Sequence, residues 1–369
     1  MRKSAIRGMA LVCFITAHAV AHAQATGSVT LYGLIDAGVT YVSNQGGHSN
    51  LKFDDGILVP NIFGLAGDEN LGGDLHAIFR LVDQFNLGSG TILAGQGLFG
   101  RTAYVGLKSD HLGTLTFGEQ TDFMFDSLSG ANDNPAYNLG LYAFRTGPFN
   151  KLALPTNPPY AGSFDWDRMT GANPVHSAVK YQSPDLGGFS FGGLYAFGGV
   201  PGSLGAGNTV SAGMNYENGT FGAGAAYTEI KYYTAGQPQV GIRNWGVGGH
   251  YVIGGLTLQA LISTVRNTFN GGAIAHGTVG VNYAINPFWY LSGSYTYMKG
   301  NGYLDNNHAH QLAASLDYAL SKRTVVYVQT VYQRTNSGAQ ALVSGIFDPT
   351  GSSSGPNQLV ARIGLKTSF

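Results

Sequence analysis

The chain has 369 residues with 20 basic and 20 acidic side chains, and only 11% of its residues are charged, against about 25% in soluble globular proteins. This balance excludes a nucleic-acid-binding surface, which needs a clustered basic excess, and the 12% aromatic content excludes disorder. Beyond the N-terminus no apolar stretch reaches the ~20 residues of a membrane helix. Two classes of protein remain, a large exported β protein and a membrane β-barrel.

The N-terminus predicts a secretory signal peptide over residues 1–23. Three basic residues in the first seven positions precede an apolar run over residues 9–20, and Ala21 and Ala23 are small residues of the kind that signal peptidase reads. The apolar run is too short to cross a membrane as a helix.

Cleavage before Gln24, or after Ala25, would leave residues 24–369 as a single mature domain. The one cysteine of the chain, Cys13, lies within the predicted signal. An exported domain without cysteine cannot depend on disulfides, so size and backbone hydrogen bonding must stabilise it.

The first strand shows a pattern that recurs along the chain. From residue 28 to 42, Val29, Leu31 and Ile35 fall on one parity and Thr30 and Asp36 on the other. A period of two places these sets on opposite faces of a strand. The same rule predicts about 16 strands, at residues 28–42, 57–67, 74–86, 99–108, 113–121, 176–183, 188–198, 209–217, 220–230, 242–252, 255–266, 275–284, 289–298, 309–319, 324–334 and 357–369.

The connections between these strands alternate in length. Those after odd-numbered strands, such as 43–56 and 122–175, are longer than those after even-numbered strands, such as 109–112 and 253–254. Outer-membrane barrels have short periplasmic turns and long external loops, and a sheet in lipid must close because every backbone polar group needs an internal partner. We therefore predict an all-β fold, a transmembrane antiparallel up-and-down barrel.

Two enzyme classes remain open as alternatives. A secreted β-rich glycoside hydrolase would need two opposed carboxylates in a cleft, but the chain has little charge for a soluble surface. An outer-membrane barrel with an enzyme site is the other alternative. His308 and His310 could share a metal only with a third ligand. We expect a channel with no catalytic residue, no metal, no cofactor and no nucleic-acid partner.

Several separate motifs, in chain order, resemble one protein family. They are SVTLYGLIDAG at 28–38, FGLAG at 63–67, RTAYVGL at 101–107, VKYQSP at 179–184 and YALSKRT at 318–324. Together they resemble the betaproteobacterial-type general diffusion porins of Gram-negative bacteria. The resemblance implies a 16-stranded homotrimeric barrel in the outer membrane, surrounded by lipid and lipopolysaccharide, that passes small polar solutes and ions. It also implies that the third external loop, here 122–175, folds into the lumen as the constriction.

Charged side chains that face each other across the narrowest point set the selectivity of such a pore. The resemblance makes Arg101 a wall arginine, although strand alternation alone would aim it at lipid. The candidate constriction residues are Arg101, Arg80, Asp36, Asp122, Asp126 and Arg168. Two family arginines are absent, one at Ile62 and one near Pro174. We therefore expect weak selectivity, neutral to cation-preferring.

The last predicted strand is apolar on one face, basic on the other, and ends in Phe369. An aromatic residue at the end of such a strand resembles the signal that the barrel-assembly machinery reads. We therefore expect Phe369 to act as an assembly signal.

Overall fold

The computed structural model describes residues 27–93, 97–155, 163–233, 236, 240–346 and 351–369. The predicted signal peptide lies outside these residues. The strands are β1 (Ser28–Gln45), β2 (His48–Asp55), β3 (Ile62–Gly72), β4 (Leu75–Asn86), β5 (Thr91–Ile92), β6 (Thr102–Ser109), β7 (Gly113–Gln120), β8 (Val175–Gln182), β9 (Phe189–Ala196), β10 (Thr209–Glu217), β11 (Phe221–Tyr232), β12 (Val240–Ile253), β13 (Leu256–Asn267), β14 (Ala273–Ala284), β15 (Trp289–Gly300), β16 (His308–Ala319), β17 (Thr324–Thr335) and β18 (Asn357–Ser368).

Helical structure is confined to short turns in the connections. They are a π-helical turn at Phe125–Ser129 and 3-10 turns at Tyr137–Leu139, Leu141–Ala143, Asn150–Leu152 and Gly302–Leu304. Among the residues described, no helix has the length and apolar character needed to cross a membrane.

Two positions in the wall are each shared by two strand segments. β2 and β3 both pair with β1, and β5 and β6 both pair with β4. The 18 segments therefore fill 16 antiparallel positions, and β18 pairs with β1 to close the sheet. The predicted 16-stranded barrel is confirmed.

Alternation decides which side chains face the lumen. On β1, Val29, Leu31 and Val39 are exposed on the outer face, whereas Asp36 and Thr40 are fully buried on the inner face. The apolar outer face suits lipid and the polar inner face suits an aqueous lumen.

The predicted second strand, 57–67, is right from residue 62, where β3 begins, but wrong over 57–61, and the predicted first external connection, 43–56, is wrong because most of it is strand. β1 and β2 form a tight hairpin at Gly46 and Gly47, whose φ angles of 61° and 101° suit a two-residue turn with both central residues at positive φ. The chain then leaves the wall between β2 and β3, where Ile57 is buried in the hydrophobic core cluster. The apolar alternation there serves packing inside the barrel rather than contact with lipid.

The barrel closes at Phe369. Its backbone N–H donates to the Gly33 carbonyl at 3.1 Å and its carbonyl accepts from the Gly33 N–H at 3.1 Å. The phenyl ring lies over Gly33, where an added Cβ would come within 2.3 Å of it. The last residue therefore extends the β1–β18 seam by two hydrogen bonds.

Deleting Phe369 should lower the amount of folded barrel in the outer membrane, because the seam loses both hydrogen bonds and the exposed terminal ring. Heat-modifiable gel migration of outer-membrane fractions measures the yield. Phe369→Tyr keeps the ring and the backbone and should assemble normally. An unchanged yield after the deletion would contradict the role of Phe369 as an assembly signal.

Candidate functional site

The segment between β7 and β8, residues 121–174, folds into the lumen; we call it loop 3. Its described part excludes residues 156–162. Its apolar side chains are buried against the inner wall, with Leu139, Tyr142 and Phe149 at 0% exposure. This placement confirms the predicted inward fold of the third loop.

Neutral amide side chains of the wall hold loop 3 by its backbone carbonyls. Asn215 donates to the Ser127 carbonyl, Gln259 to Asn132, Asn244 to Trp166, Asn267 to Leu152, Gln311 to Ala143 and Gln329 to Leu139. These donors lie on five strands and face inward. They satisfy carbonyl groups that would be costly to bury unpaired, and they add no charge to the pore.

Two buried ion pairs fix the C-terminal half of loop 3. Arg145 Nε lies 2.5 Å from Asp167 Oδ2, with both side chains almost fully buried, and the Arg168 guanidinium contacts the Asp122 carboxylate. Burial raises the pKa of Asp167, but Arg145 and His276 outweigh this effect and hold that pKa below its ordinary value. Removing one member of such a pair would leave an uncompensated buried charge.

Three of the six candidate constriction residues, Arg80, Arg101 and Asp126, line one cavity of about 1240 Å³ between loop 3 and the wall. Arg101 lies in a turn just before β6, so strand alternation does not govern its direction. Its guanidinium contacts the side chain of Gln84 on the neighbouring strand.

Hydrogen bonds and an ion pair set the charge of this cavity wall. The Arg80 Nε donates to the Tyr32 hydroxyl at 2.7 Å, and the guanidinium lies 5.3 Å from the centroid of that ring. Asp126 pairs with Lys180 of β8. The carboxylate of Asp126 is therefore neutralised, whereas Arg80 faces a neutral phenol.

The other three candidates lie behind the cavity surface. Asp122 and Arg168 are 2% and 7% exposed and pair with each other. Asp36 is fully buried; its carboxylate accepts a hydrogen bond from the Tyr327 hydroxyl at 2.6 Å and contacts the Arg362 guanidinium at 3.2 Å.

Sequence reasoning missed the cations that pair with Asp126 and Asp36, two of the candidate constriction residues. Lys180 and Arg362 share the inward parity of their strands with Ala178 and Val360. Parity could have assigned both to the lumen, but not to a particular acid, because the partners lie 54 and 326 residues away in the chain.

A closed 16-stranded barrel with a loop held inside its lumen defines an outer-membrane channel. A family model of the Gram-negative porins matches residues 9–338, and the chain belongs to that family. It is accordingly a multi-pass protein of the Gram-negative outer membrane. Porins are channels, so membership excludes both enzyme alternatives.

Individual relatives are similar along much of the chain. An outer membrane porin protein of Bordetella pertussis is 29% identical over 257 residues, 62% of each protein. Outer membrane porin protein 32 of Delftia acidovorans is 24% identical over 94% of this chain and 95% of the relative. The solved anion-selective porin from Comamonas acidovorans has a TM-score of 0.77 and 21% identity, covering 93% of this chain and all of that one.

Asp165 lies near Asp167 in the C-terminal half of loop 3, and its carboxylate is costly to ionise. The side chain is 3% exposed and accepts hydrogen bonds from the Thr170 N–H at 3.0 Å and the Asn173 amide at 2.7 Å. Burial, together with the nearby Asp167 carboxylate, raises its pKa from 3.8 to about 6. A carboxyl with a raised pKa stabilises the folded form most when protonated, below about pH 4, and this stabilisation is lost as the pH rises through 6.

Asp165→Asn should therefore stabilise loop 3 at pH 7.5, by about 3 kcal/mol for a pKa difference of this size, and have little effect at pH 4. Urea titration followed by the fluorescence of the buried Trp166, in a Trp245→Phe/Trp289→Phe background, measures this. Equal midpoints for Asp165→Asn and the parent at pH 7.5 would contradict the raised pKa.

Proposed function

We propose that the chain forms a water-filled channel through which small hydrophilic solutes and ions diffuse across the outer membrane, with loop 3 as the constriction. The observation that carries this proposal is the cavity of about 1240 Å³ between loop 3 and the wall, whose lining includes charged side chains of both signs as well as apolar ones. In this proposal residues 1–23 are removed on export, and the assembly machinery reads the strand that ends in Phe369.

We further propose a homotrimer, as the resemblance to general diffusion porins implies. Glu119 and His176 form an ion pair of 3.2 Å on the outer face of β7 and β8. Glu119 Oε1 is buried and has no hydrogen-bond partner among the described residues. A charged pair on the outer wall is costly in lipid, so this face suits contact with another subunit.

The ion pairs of the candidate acidic residues favour a channel with a weak preference for anions. The sequence suggested neutral to cation-preferring behaviour because two family arginines are missing while Asp36, Asp122 and Asp126 remain. In the structure each of these acids has a cationic partner. Arg80, in contrast, has no carboxylate partner among the described residues and faces the cavity.

Other charges on the cavity wall keep this preference small. Asp55 lines the cavity and accepts hydrogen bonds from the Leu87 and Gly88 N–H groups. Lys366 and Asp317 also line it and contribute one charge of each sign. We therefore propose weak selectivity with Arg80 as the main source of anion preference.

Reversal potentials in a potassium chloride gradient should show weak chloride preference, and Arg80→Gln should shift it towards potassium. Ile62 faces the same cavity, so Ile62→Arg should increase chloride preference. One charge near the path contributes about 1 kcal/mol, a few-fold in permeability ratio, less at high salt. Arg80→Lys and Ile62→Gln are the matched controls. Unmodified protein that prefers potassium would contradict the proposal.

Shortening loop 3 should raise the single-channel current in planar bilayers. Removing residues 135–150 takes Arg145 out of its buried pair, so the deletion is combined with Asp167→Asn to avoid a stranded carboxylate. The full-length double variant Arg145→Gln/Asp167→Asn, which also removes both charges of the pair, is the control. A correctly assembled deletion variant with the parental current would show that loop 3 does not limit conduction.

A further inference from the structure

The cavity between loop 3 and the barrel has an apolar patch on the side that carries Arg80. We call this patch the apolar wall; its members are Leu34 on β1, Val59 and Pro60 between β2 and β3, and Ile62 on β3. All four line the cavity. Leu34 and Ile62 are opposite each other in the β1–β3 ladder, and Val59 and Pro60 precede Ile62 in the chain, so the four residues form one continuous surface.

The segment that leads into Ile62 is held from two sides. The Asp36 carboxylate of the wall accepts hydrogen bonds from the Ile57 N–H at 2.7 Å and the Leu58 N–H at 3.0 Å. Loop 3 contributes the Leu141 N–H, which donates to the Ile57 carbonyl at 2.7 Å. The backbone that carries the apolar wall is therefore fixed without a ligand.

The register of β4 places a guanidinium group on either side of the apolar wall. Arg80, Val82 and Gln84 line the cavity at successive inward positions, which are about 7 Å apart along a strand. Gln84 is opposite Ile62 in the β3–β4 ladder, and its side chain contacts the Arg101 guanidinium. Arg80 lies two inward positions further along β4. A solute in the cavity can therefore contact a cation and the apolar wall together.

Tyr32 orients the Arg80 side chain. The Tyr32 hydroxyl accepts a hydrogen bond from Arg80 Nε at 2.7 Å. The ring of Tyr32 lies against Gly64 of β3, where an added Cβ would come within 2.8 Å of it. A guanidinium has further N–H donors beyond Nε, in a planar arrangement that fits a carboxylate. Arg80 is exposed to the cavity, so these donors can reach an anion there.

The carboxylate of Asp55 lies far from Arg80 along the barrel. Arg80 is opposite Ala66, which pairs with Thr30 of β1. Asp55 pairs instead with Ala37 of β1, and the backbones at these two levels of the strand are about 23 Å apart. Repulsion over this distance is largely screened at physiological salt. An anion at Arg80 is therefore little affected by Asp55.

We propose that the cavity binds carboxylates that carry an aromatic ring, with the carboxylate at Arg80 and the ring against the apolar wall. The inference rests on the proposed channel and names a preferred class among its solutes. Hydrogen bonds between a guanidinium and a carboxylate are charge-assisted, and burial of the ring adds to them. Phe125 and Tyr137 of loop 3, an edge-to-face pair with centroids 6.0 Å apart, also line the cavity and offer the ring further contact.

The test measures binding separately from conduction. The full mature chain, refolded in detergent, is titrated with phenylacetate, acetate and neutral phenylacetamide, and saturation-transfer NMR gives each Kd, with empty micelles as the blank. Contact of the ring with the apolar wall should make phenylacetate bind about tenfold more tightly than acetate. Phenylacetamide, which lacks the charge, should bind about tenfold more weakly than phenylacetate.

Two pairs of variants separate the contributions of cation and wall. Arg80→Gln should weaken phenylacetate binding about tenfold, and Arg80→Lys is the charge-conserving control. Leu34→Asn/Val59→Thr places polar side chains of similar size at two half-buried positions and should remove the advantage of phenylacetate over acetate. Leu34→Met/Val59→Ile keeps the wall apolar and should preserve that advantage.

Equal affinities of the parent for phenylacetate and acetate overturn the proposal. So does phenylacetamide that binds as tightly as phenylacetate, which would indicate apolar partitioning alone. An advantage of phenylacetate that survives in Leu34→Asn/Val59→Thr also overturns it, because the ring would then lie elsewhere. Planar-bilayer recordings of the parent test the channel itself: if the expected binding pattern holds in a protein that carries no ion current, the channel proposal fails and the binding site stands.

Discussion

Backbone N–H and C=O groups that are withdrawn from bulk water need partners, and this need governs both the wall and the contents of the barrel. In the wall the antiparallel ladders supply them, and the seam between β1 and β18 removes the last free edge. Inside, loop 3 has little regular structure of its own, so its carbonyls depend on the wall. Asn244 and Gln311 belong to the amide set that meets this demand. The barrel can therefore hold a long irregular segment in its lumen because polar inward positions are available on many strands.

The wall holds loop 3 mainly through neutral amide side chains, so anchoring the loop adds no charge to the lumen. Amide donors satisfy the loop without charge, and the buried arginines of loop 3 are paired with carboxylates, Arg145 with Asp167 and Arg168 with Asp122. A buried pair contributes less to stability than its geometry suggests, because desolvation offsets the attraction; its main effect is to penalise any arrangement that separates the partners. In the channel we propose, the field at the constriction would then depend on the charges at the cavity surface, which include Arg80.

The architecture could be predicted from the sequence because it follows from local rules: a period of two along each strand and short turns alternating with long connections. The exception is the region around residues 57–61, where apolar alternation is the same for a lipid-facing strand and for a segment packed inward. The Gly46-Gly47 pair was a hairpin signal available in the sequence, and it would have moved the second strand to β2. Alternation alone would have aimed Arg101 at lipid for a related reason, since alternation has no meaning in the turn that precedes β6, whereas the family resemblance placed it on the inner wall.

Charge balance at the site could not be read from the sequence because it depends on which distant side chains barrel closure brings together, as with Asp36 and Arg362. Register makes such pairings reliable. On β16, Gln311 anchors loop 3 from the inner face, while its neighbour His310 is exposed on the outer face. A slip of one residue would exchange the two faces, which would break the loop anchor and place an amide in the membrane. Lumen and lipid thus constrain the same register from opposite sides, and this double constraint fixes the strand more firmly than either face could alone.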